Sequence, residues 1–306
     1  MDKTLGMWIS GAAQALEAIA EDREQAWIEA RRLAAFGLKK PESWLVAHTD
    51  KTLTKRQTDA LAPLRKRRLK REPMEYLLGS AVFFGREFAV DKHVLIPRPE
   101  TEDLVVEALK EIRPGDLVVE IGTGSGAIAI TVAAERPGVT VFTSDTDAAA
   151  LSVARKNARR LAPGRIRFFH GSLFHPALIR AIRTAGARRA LPLRIHTLAN
   201  LPYLPFSDRK TMPVSVVKYE PAKALFAKDD GMELNKKLME QVGAQFIAPP
   251  SGRDKSRPYM AILLEFDPPQ SKKLSAFAKS LFPDADVSII RDRCGRERIL
   301  RVTRRA

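Results

Sequence analysis

The fold is decided by residues 117–127, which read Leu117-Val-Val-Glu-Ile-Gly-Thr-Gly-Ser-Gly-Ala127. A short strand pattern passes into a loop with a glycine at every second position, and a helical pattern begins at Ala127. A glycine turn between a strand and a helix predicts a nucleotide-type site, because backbone N–H groups at the helix N-terminus point at the ligand. The spacing Gly122-x-Gly124-x-x-Ala127 also satisfies the dinucleotide fingerprint, so the loop alone does not choose the cofactor.

Two carboxylates narrow the choice of cofactor. Asp145 ends the next predicted strand, about twenty residues after the glycines, where it can accept hydrogen bonds from both ribose hydroxyls. Glu120 places negative charge where a pyrophosphate would be repelled and an ammonium group attracted. S-adenosylmethionine has that ammonium group and NAD does not, so Glu120 favours S-adenosylmethionine; the alternative is a glutamate that only caps local backbone donors. The residues expected to bind the cofactor are Glu120, Gly122, Thr123, Gly124, Ser125, Gly126 and Asp145.

Hydrophobic periodicity on either side of the loop predicts two domains joined by a hairpin. Residues 1–78 carry apolar side chains at helical spacing, which predicts a small helical bundle. Residues 79–92 place β-branched and aromatic residues around Gly85, which predicts a β-hairpin hinge. In residues 93–306 strand and helix patterns alternate and end in a hairpin, which predicts an α/β domain with a doubly wound parallel sheet and an antiparallel final edge.

Composition is typical of an ordinary globular protein. The 306 residues are 45% hydrophobic and 29% charged, which argues against disordered and fibrous classes. The single cysteine, Cys294, excludes an internal disulfide and a cysteine-based zinc site, and we expect no metal. The sequence shows neither an apolar run of about 18 residues nor a signal peptide, so we expect a cytoplasmic protein with no membrane partner.

The formal net charge of +16 favours an acidic partner without bearing on the fold. The basic run Arg65–Arg71 closes the predicted bundle and is either a solvated helix face or a contact with a polyanion or a protein partner. Residues Ile179–Ala190 predict a basic helix whose simplest interpretation is surface decoration. Residues 251–257 predict an exposed loop.

The segment Asn200-Leu-Pro-Tyr203 follows a predicted strand and is the candidate catalytic segment. It falls at the carboxyl edge of the sheet, where doubly wound folds bind ligands. An amide or aromatic amino nitrogen is a weak nucleophile because its lone pair is delocalised, so its N–H groups must be held by acceptors while the lone pair faces the methyl group. The Asn200 side-chain oxygen and the Leu201 carbonyl can be those acceptors. Pro202 restricts the backbone and Tyr203 offers an aromatic face, whereas the alternative is a plain Asn-x-Pro turn.

Together these motifs resemble the glutamine N5-methyltransferases of peptide chain release factors, called the HemK family. The resemblance covers nearly the whole chain, and beyond the N-terminal helices and the hairpin it rests on Ile96–Thr101, Glu120–Ala127, Asn200–Tyr203, Tyr219–Leu225 and Asp292–Val302. It implies a Rossmann-like class I methyltransferase sheet, an N-terminal domain that recognises the substrate, and S-adenosyl-L-methionine as cofactor. The implied partner is a release factor with a Gly-Gly-Gln loop; we expect a monomer that does not require nucleic acid.

Carried over by position, the resemblance assigns roles to single residues. Asn200 would contact both the cofactor and the substrate amide, the Leu201 carbonyl would hold the same amide, and Tyr203 would pack on it. Two positions depart from the family pattern. Leu201 stands where the family has proline, which removes rigidity but keeps the carbonyl. Ser172 stands where an aspartate usually meets the adenine amino group, and Leu173 would flank the ring.

Three other functions stay open on the sequence. The glutamine could belong to a ribosomal protein rather than a release factor. An Asn-Leu-Pro-Tyr segment also occurs in rRNA adenine dimethyltransferases, and positive charge suits RNA, but those enzymes lack the Ile96–Glu100 loop and the helical N-terminal domain. A ribosome-binding or nucleic-acid-binding module without a cofactor is the third. A dehydrogenase is disfavoured because no His or Lys is placed for hydride transfer.

Overall fold

The computed structural model describes residues 4–187, 193–246 and 259–304. The C-terminal end of the predicted basic helix and the predicted loop over 251–257 lie outside the described residues. The chain forms two compact units, of which the first comprises Met1–Ser80 with Pro213–Tyr219 and the second Ala81–Met212 with Glu220–Ala306.

The secondary structure alternates as the sequence predicts. The α-helices are α1 (Leu5–Leu16), α2 (Arg23–Leu38), α3 (Glu42–Ala47), α4 (Lys55–Leu69), α5 (Met74–Leu78), α6 (Pro99–Glu111), α7 (Ala127–Glu135), α8 (Ala148–Leu161), α9 (Pro176–Ala187), α10 (Val214–Tyr219), α11 (Glu233–Phe246) and α12 (Ser271–Leu281). The strands are β1 (Ser80–Phe83), β2 (Arg86–Ala89), β3 (Leu117–Ile121), β4 (Thr140–Asp145), β5 (Ile166–His170), β6 (Ile195–Ala199), β7 (Leu204–Pro205), β8 (Phe226–Ala227), β9 (Met260–Glu265), β10 (Asp286–Arg291) and β11 (Glu297–Arg304). Within the described ranges, no helix is both long enough and apolar enough to cross a membrane.

The first unit is helical, and the basic run at the end of α4 is partly structural. Arg68 Nε donates to Glu29 Oε2 at 2.7 Å, and Glu29 is only 4% exposed. Arg67 Nε donates to Glu72 Oε2 at 2.9 Å. Truncating Arg68 would leave a buried carboxylate without this partner, which is costly. Arg68 therefore stabilises the unit through a buried partner, whereas Arg67 is exposed and fits the solvated-face interpretation.

The second unit is built around a seven-stranded sheet of order β10-β11-β9-β6-β3-β4-β5. The strands from β9 to β5 are parallel, whereas β11 pairs antiparallel with β9 and β10 with β11. This confirms the predicted doubly wound sheet and its antiparallel edge. The chain runs outward from β3 to β5 and then returns to β6 on the other side of β3. The strand order reverses between β3 and β6, which is where such sheets bind ligands.

Both faces of the sheet are covered, so β3 is buried along its whole length. Successive side chains of a strand point to opposite faces. Val118 packs in the apolar cluster that includes α6 and α7. Leu117 and Val119 pack in the other cluster, with residues of α11 and α12. Packing on both faces fixes the position of the carboxyl end of β3, where the glycine loop begins.

Two strands lie within the segment predicted as a hairpin, and prolines lie at the start of two helices of the second unit. β1 and β2 pair as a two-stranded sheet, with the turn at Phe84 and Gly85 in the left-handed region. α6 begins at Pro99, inside the segment predicted as a loop, because proline is well suited to the first turn of a helix. α12 begins at Ser271, after a 3₁₀ turn over Pro268–Gln270.

Candidate active site

The glycine loop and the Asn200 segment lie side by side at the reversal of strand order. Ile121 pairs with Ala199 at the carboxyl ends of β3 and β6. The next residues, Gly122 and Asn200, therefore open two adjacent loops. Gly122 has a φ of +85°, and a Cβ there would lie 3.0 Å from Leu201 Cδ2. Glycine is required at this position both for its backbone conformation and for the approach of the second loop.

The backbone of the glycine loop is tied to β4 rather than directed at a ligand. The Ser144 carbonyl accepts hydrogen bonds from the N–H groups of Gly122 at 2.9 Å and Thr123 at 3.1 Å. The Gly124 N–H donates to Asp145 Oδ2 at 2.9 Å. The expectation that these three N–H groups face the ligand is wrong, because acceptors at the end of β4 already engage them. Such a loop offers few free donors to a pyrophosphate, which disfavours the dinucleotide interpretation.

Gly126 supports the packing of α7 and does not line the cavity above the loop. Its φ is +84°, and a Cβ there would lie 2.7 Å from Ile130 Cδ1 and 3.3 Å from Ala154 Cβ. The structure thus separates Gly126 from the other residues predicted to contact the cofactor.

An open cavity lies over the carboxyl ends of β3 and β4. A Cβ on Gly124 would meet nothing within 4 Å, so there is free space directly above the loop. Ser172 is exposed, whereas Leu173 is buried. The predicted cofactor residues that line this cavity are Glu120, Gly122, Thr123, Gly124, Ser125, Asp145, Ser172, Leu173 and Asn200.

Glu120 is buried beneath the loop, with 1% of its surface exposed. Its Oε2 accepts a hydrogen bond from the Thr143 hydroxyl at 2.5 Å, and that hydroxyl lies 2.7 Å from the hydroxyl of Thr123. Burial raises the pKa of Glu120 to about 8, although hydrogen bonds from Thr143 and the Ala129 N–H lower it. This is the capping role that the sequence leaves open as an alternative, yet the same residue also lines the cavity.

A second cavity adjoins the first at the Asn200 segment. Pro202 lines the first cavity and Tyr203 the second. No described residue donates a hydrogen bond to the Asn200 Oδ1 or to the Leu201 carbonyl. The residues shared by the two cavities are Leu95, Arg98, Asn200, Leu201 and Ala224. Two hydrogen-bond acceptors therefore lie where the cavities meet.

A hydrogen-bonded chain of side chains holds the Asn200 segment from below. Asn200 Nδ2 donates to Thr101 Oγ1 at 2.9 Å, and Thr101 Oγ1 donates to Glu265 Oε2 at 2.7 Å. The Tyr203 hydroxyl donates to the other oxygen, Glu265 Oε1, at 3.0 Å. Glu265 is fully buried and Thr101 is 4% exposed. One buried carboxylate thus fixes both ends of the segment.

Burial, together with the adjacent carboxylate, keeps Tyr203 in its neutral form. Burial and the adjacent Glu265 raise the pKa of Tyr203 far above its usual value, although Arg298 lowers it. Burial also raises the pKa of Glu265, while the hydrogen bonds from Thr101 and Tyr203 and the positive charge of Arg298 lower it. Tyr203 is therefore a hydrogen-bond donor and an aromatic surface, and it is unsuited to the role of a base.

The backbone after Tyr203 is fixed by tight packing. The Tyr203 carbonyl accepts a hydrogen bond from Gln270 Nε2 at 2.7 Å, and Gln270 is 4% exposed. Gly231 lies so close that a Cβ there would be 1.9 Å from the same carbonyl oxygen. With a φ of +84° as well, Gly231 cannot be replaced without moving this loop.

A buried glutamate anchors the segment that borders both cavities. Glu220 is 5% exposed and accepts hydrogen bonds from the Ile96 N–H at 3.2 Å and from Arg98 Nη2 at 2.5 Å. Lys223 forms an ion pair with Asp147, and both residues line the first cavity. Residues far apart in the sequence are thereby held around one ligand-sized space.

Sequence reasoning missed Thr101, Glu265 and Gln270 as parts of the site. A signal for Glu265 exists, since a single acid ends the otherwise apolar strand β9, just as Glu120 interrupts the apolar strand β3. Thr101 and Gln270 carry no such signal, because polar residues near a helix start are expected without any role in a site.

Comparison with known proteins gives consistent results for both parts of the chain. Residues 8–79 match the family described as PrmC N-terminal domain, and residues 100–178 match the family described as Methyltransferase small domain. The chain is 32% identical over 229 residues to a release factor glutamine methyltransferase from Staphylococcus aureus, covering 75% of each protein. It is 32% identical over 292 residues to one from Lactococcus lactis, covering 90% of this chain and 99% of that protein.

A solved structure supports the fold alone. The hMettl16 catalytic domain, crystallised in complex with the MAT2A 3'UTR hairpin 6, superposes with a TM-score of 0.50 at 14% sequence identity. The likeness covers 72% of this chain and 75% of that chain. Together with the strand order, it confirms the predicted Rossmann-like methyltransferase fold.

Proposed function

Since the chain belongs to the release factor glutamine methyltransferase family, we propose that it transfers a methyl group from S-adenosylmethionine to the side-chain amide nitrogen of a protein glutamine. The proposed substrate is the glutamine of the Gly-Gly-Gln motif in a peptide chain release factor. One observation carries the proposal. Asn200 and Leu201 line both cavities, and the Asn200 Oδ1 and the Leu201 carbonyl receive no hydrogen bond from a described residue.

The lining of the first cavity fits S-adenosylmethionine. Buried Glu120 offers a carboxylate to an ammonium group, and Asp145 offers acceptors to ribose hydroxyls. Leu173 offers an apolar surface to the adenine ring, and Ser172 lies beside it. When bound, the cofactor would supply a methyl group on a positively charged sulfur, and the neutral thioether of S-adenosylhomocysteine would be the good leaving group. Gly126 would act indirectly, through the packing of α7.

The second cavity is the proposed site of the substrate glutamine. Its amide N–H groups would donate to the Asn200 Oδ1 and the Leu201 carbonyl, which turns the nitrogen lone pair toward the first cavity. Tyr203 would pack against the planar amide, and Pro202 limits the freedom of the backbone between them. Alignment and electrostatics then lower the barrier without a strong base, and the proton lost from the nitrogen passes to water.

The shape and charge of the protein favour a protein substrate. A loop tip with two glycines can bring an extended backbone into a narrow cavity, whereas a flipped purine needs a wider aromatic slot. Tyr203 is the one aromatic side chain among the described residues that line the second cavity. The net charge of +16 would steer an acidic protein surface toward the enzyme. We propose a monomeric cytoplasmic enzyme that needs neither nucleic acid nor a membrane.

The direct test is transfer of a tritiated methyl group from S-adenosylmethionine to a purified release factor. The matched control is the same factor with the Gly-Gly-Gln glutamine replaced by alanine. We expect label on the first protein and none on the control. Cell lysate fractions digested with protease or with RNase extend the test. Label that only RNase removes would support the adenine methyltransferase, and label on ribosomal proteins alone would support the ribosomal-protein enzyme.

A further inference from the structure

We propose that Thr101 and Glu265 are positioning residues that set which atom of the Asn200 side chain faces the substrate. This inference rests on the proposed function and adds a reason why Asn200 presents its oxygen. An asparagine side chain can occupy the same space in two orientations related by a flip, with oxygen and NH₂ exchanged. Only one orientation gives an acceptor to the N–H group of a substrate amide. The other would set two NH₂ groups against each other.

The hydroxyl of Thr101 makes the choice because it carries a single hydrogen. Glu265 Oε2 lies 2.7 Å away and is fully buried, so it needs that hydrogen. With its hydrogen donated to Glu265, Thr101 Oγ1 can only accept from its other neighbour. Asn200 must then direct Nδ2 toward Thr101, at the observed distance of 2.9 Å, which leaves Oδ1 for the substrate.

Burial of Glu265 raises its pKa and disfavours the carboxylate, and the negative charge of Glu100 adds to this effect. Three groups act in the opposite direction and favour an acceptor at both oxygens. Thr101 donates to Oε2, Tyr203 donates to Oε1 at 3.0 Å, and the positive charge of Arg298 stabilises the carboxylate. Flipping Asn200 would draw the Thr101 hydrogen away and leave a buried carboxylate oxygen without its donor. The hydrogen-bonded relay from Asn200 through Thr101 to Glu265 therefore disfavours the flipped orientation of Asn200, and Thr101 and Glu265 do so without contacting the reacting atoms.

The first test needs no substrate. In ¹⁵N-labelled protein, the Asn200 Nδ2 hydrogens, assigned by their disappearance in Asn200→Asp, are expected to exchange slowly with solvent. Exchange should become at least about tenfold faster in Thr101→Val, which removes the hydroxyl with little change in volume, and stay slow in Thr101→Ser. An Asn200 amide that exchanges freely in the wild type, or equally in all three proteins, would overturn the relay. This result is independent of whether the proposed function is correct.

The second test is kinetic and uses the release factor as substrate. Thr101→Val should lower kcat by about 10- to 100-fold while the Kd of S-adenosylhomocysteine stays within about twofold, and Thr101→Ser should recover most of the loss. When Thr101→Val is added to Asn200→Ala, kcat should fall by less than about twofold further, because the relay acts only through Asn200. Equal losses in both backgrounds would show that Thr101 is merely structural.

A second variant covers the case in which Thr101→Val folds poorly. Glu265→Met keeps the length of the side chain but removes both acceptor oxygens, so the Thr101 hydroxyl can turn to Asn200. We expect the same loss in kcat and the same absence of additivity with Asn200→Ala. Wild-type kcat in Glu265→Met would contradict the relay, whereas an inactive wild type would count against the proposed function instead.

Discussion

The loops at the carboxyl ends of β3 and β6 are neighbours, yet they are held in place in different ways. The glycine loop is fixed by its own backbone, as when the Gly124 N–H donates to Asp145, 21 residues away. The Asn200 segment is fixed by side chains from distant parts of the chain. Asn200 reaches Thr101, 99 residues away, and Thr101 reaches Glu265, 164 residues away. The glycine loop contributes mainly through the path of its backbone, which shapes the first cavity. The Asn200 segment contributes through side-chain atoms, whose orientation must be fixed by other residues.

The largest expected effect comes from a substitution that disrupts the Asn200 segment and leaves the glycine loop intact. Asn200→Ala should lower kcat by about 100-fold or more, because it removes an acceptor that matters most when the amide is aligned for transfer. Calorimetry with S-adenosylhomocysteine should give a Kd close to that of the wild type. Activity retained in Asn200→Ala would remove this residue from the mechanism.

The reverse experiment weakens cofactor binding at the glycine loop and leaves the Asn200 segment intact. Asp145→Ala should reduce cofactor affinity by about 1.5 to 3 kcal/mol, or roughly 10- to 150-fold in Kd, since it removes a charged acceptor for ribose hydroxyls. Asp145→Asn is the matched control, because it keeps an acceptor for the Gly124 N–H that donates at 2.9 Å. Calorimetry measures both variants. An unchanged Kd in Asp145→Ala would mean that the ribose is held elsewhere.

Glu120, buried beneath the glycine loop, should make cofactor binding depend on pH. The pKa of Glu120 is raised to about 8, so the carboxyl group of the free protein is mostly protonated at pH 6 to 7. An ammonium ligand favours the carboxylate, and binding must then release a proton. The Kd for S-adenosylhomocysteine should therefore fall as pH rises from 6 toward 8, by up to about tenfold per pH unit.

Glu120→Gln is the control for this pH dependence, since it keeps the size of the side chain and cannot titrate. The ligand's own amino group titrates identically with both proteins, so the ratio of the two Kd values isolates Glu120. A ratio that does not change between pH 6 and 8 would contradict an ammonium contact with Glu120.

The sequence was sufficient where the chemistry is local. The strand, Glu120, Gly122, Gly124 and Asp145 fall within one βαβ unit, and their spacing predicts their place in the cavity, whereas Gly126 lies outside it. The direction of the loop N–H groups was not predictable in the same way, because it depends on the Ser144 carbonyl of a neighbouring strand. The hydrogen-bond partners of Asn200 were harder still to predict from the sequence, because the folded sheet brings them together from distant parts of the second unit.

The smallest expected effect concerns the departure from the family pattern at Ser172. Ser172→Asp should tighten cofactor binding by a few-fold, because a charge-assisted hydrogen bond to the adenine amino group is about twice as strong as a neutral one. Ser172 is exposed and lines the first cavity, so the added charge stays solvated in the free protein. Weaker binding, measured by calorimetry, would show that the adenine ring does not lie beside Ser172.

Tandem mass spectrometry of the release factor after reaction with the wild-type enzyme tests the central claim most directly. The Gly-Gly-Gln peptide is expected to carry one methyl group on the side-chain amide nitrogen of its glutamine, and the same reaction with Asn200→Ala should leave the peptide unmodified. An unmodified peptide with the active wild-type enzyme, together with a methyl group on RNA adenine, would contradict the claim that the Asn200 segment holds a protein amide.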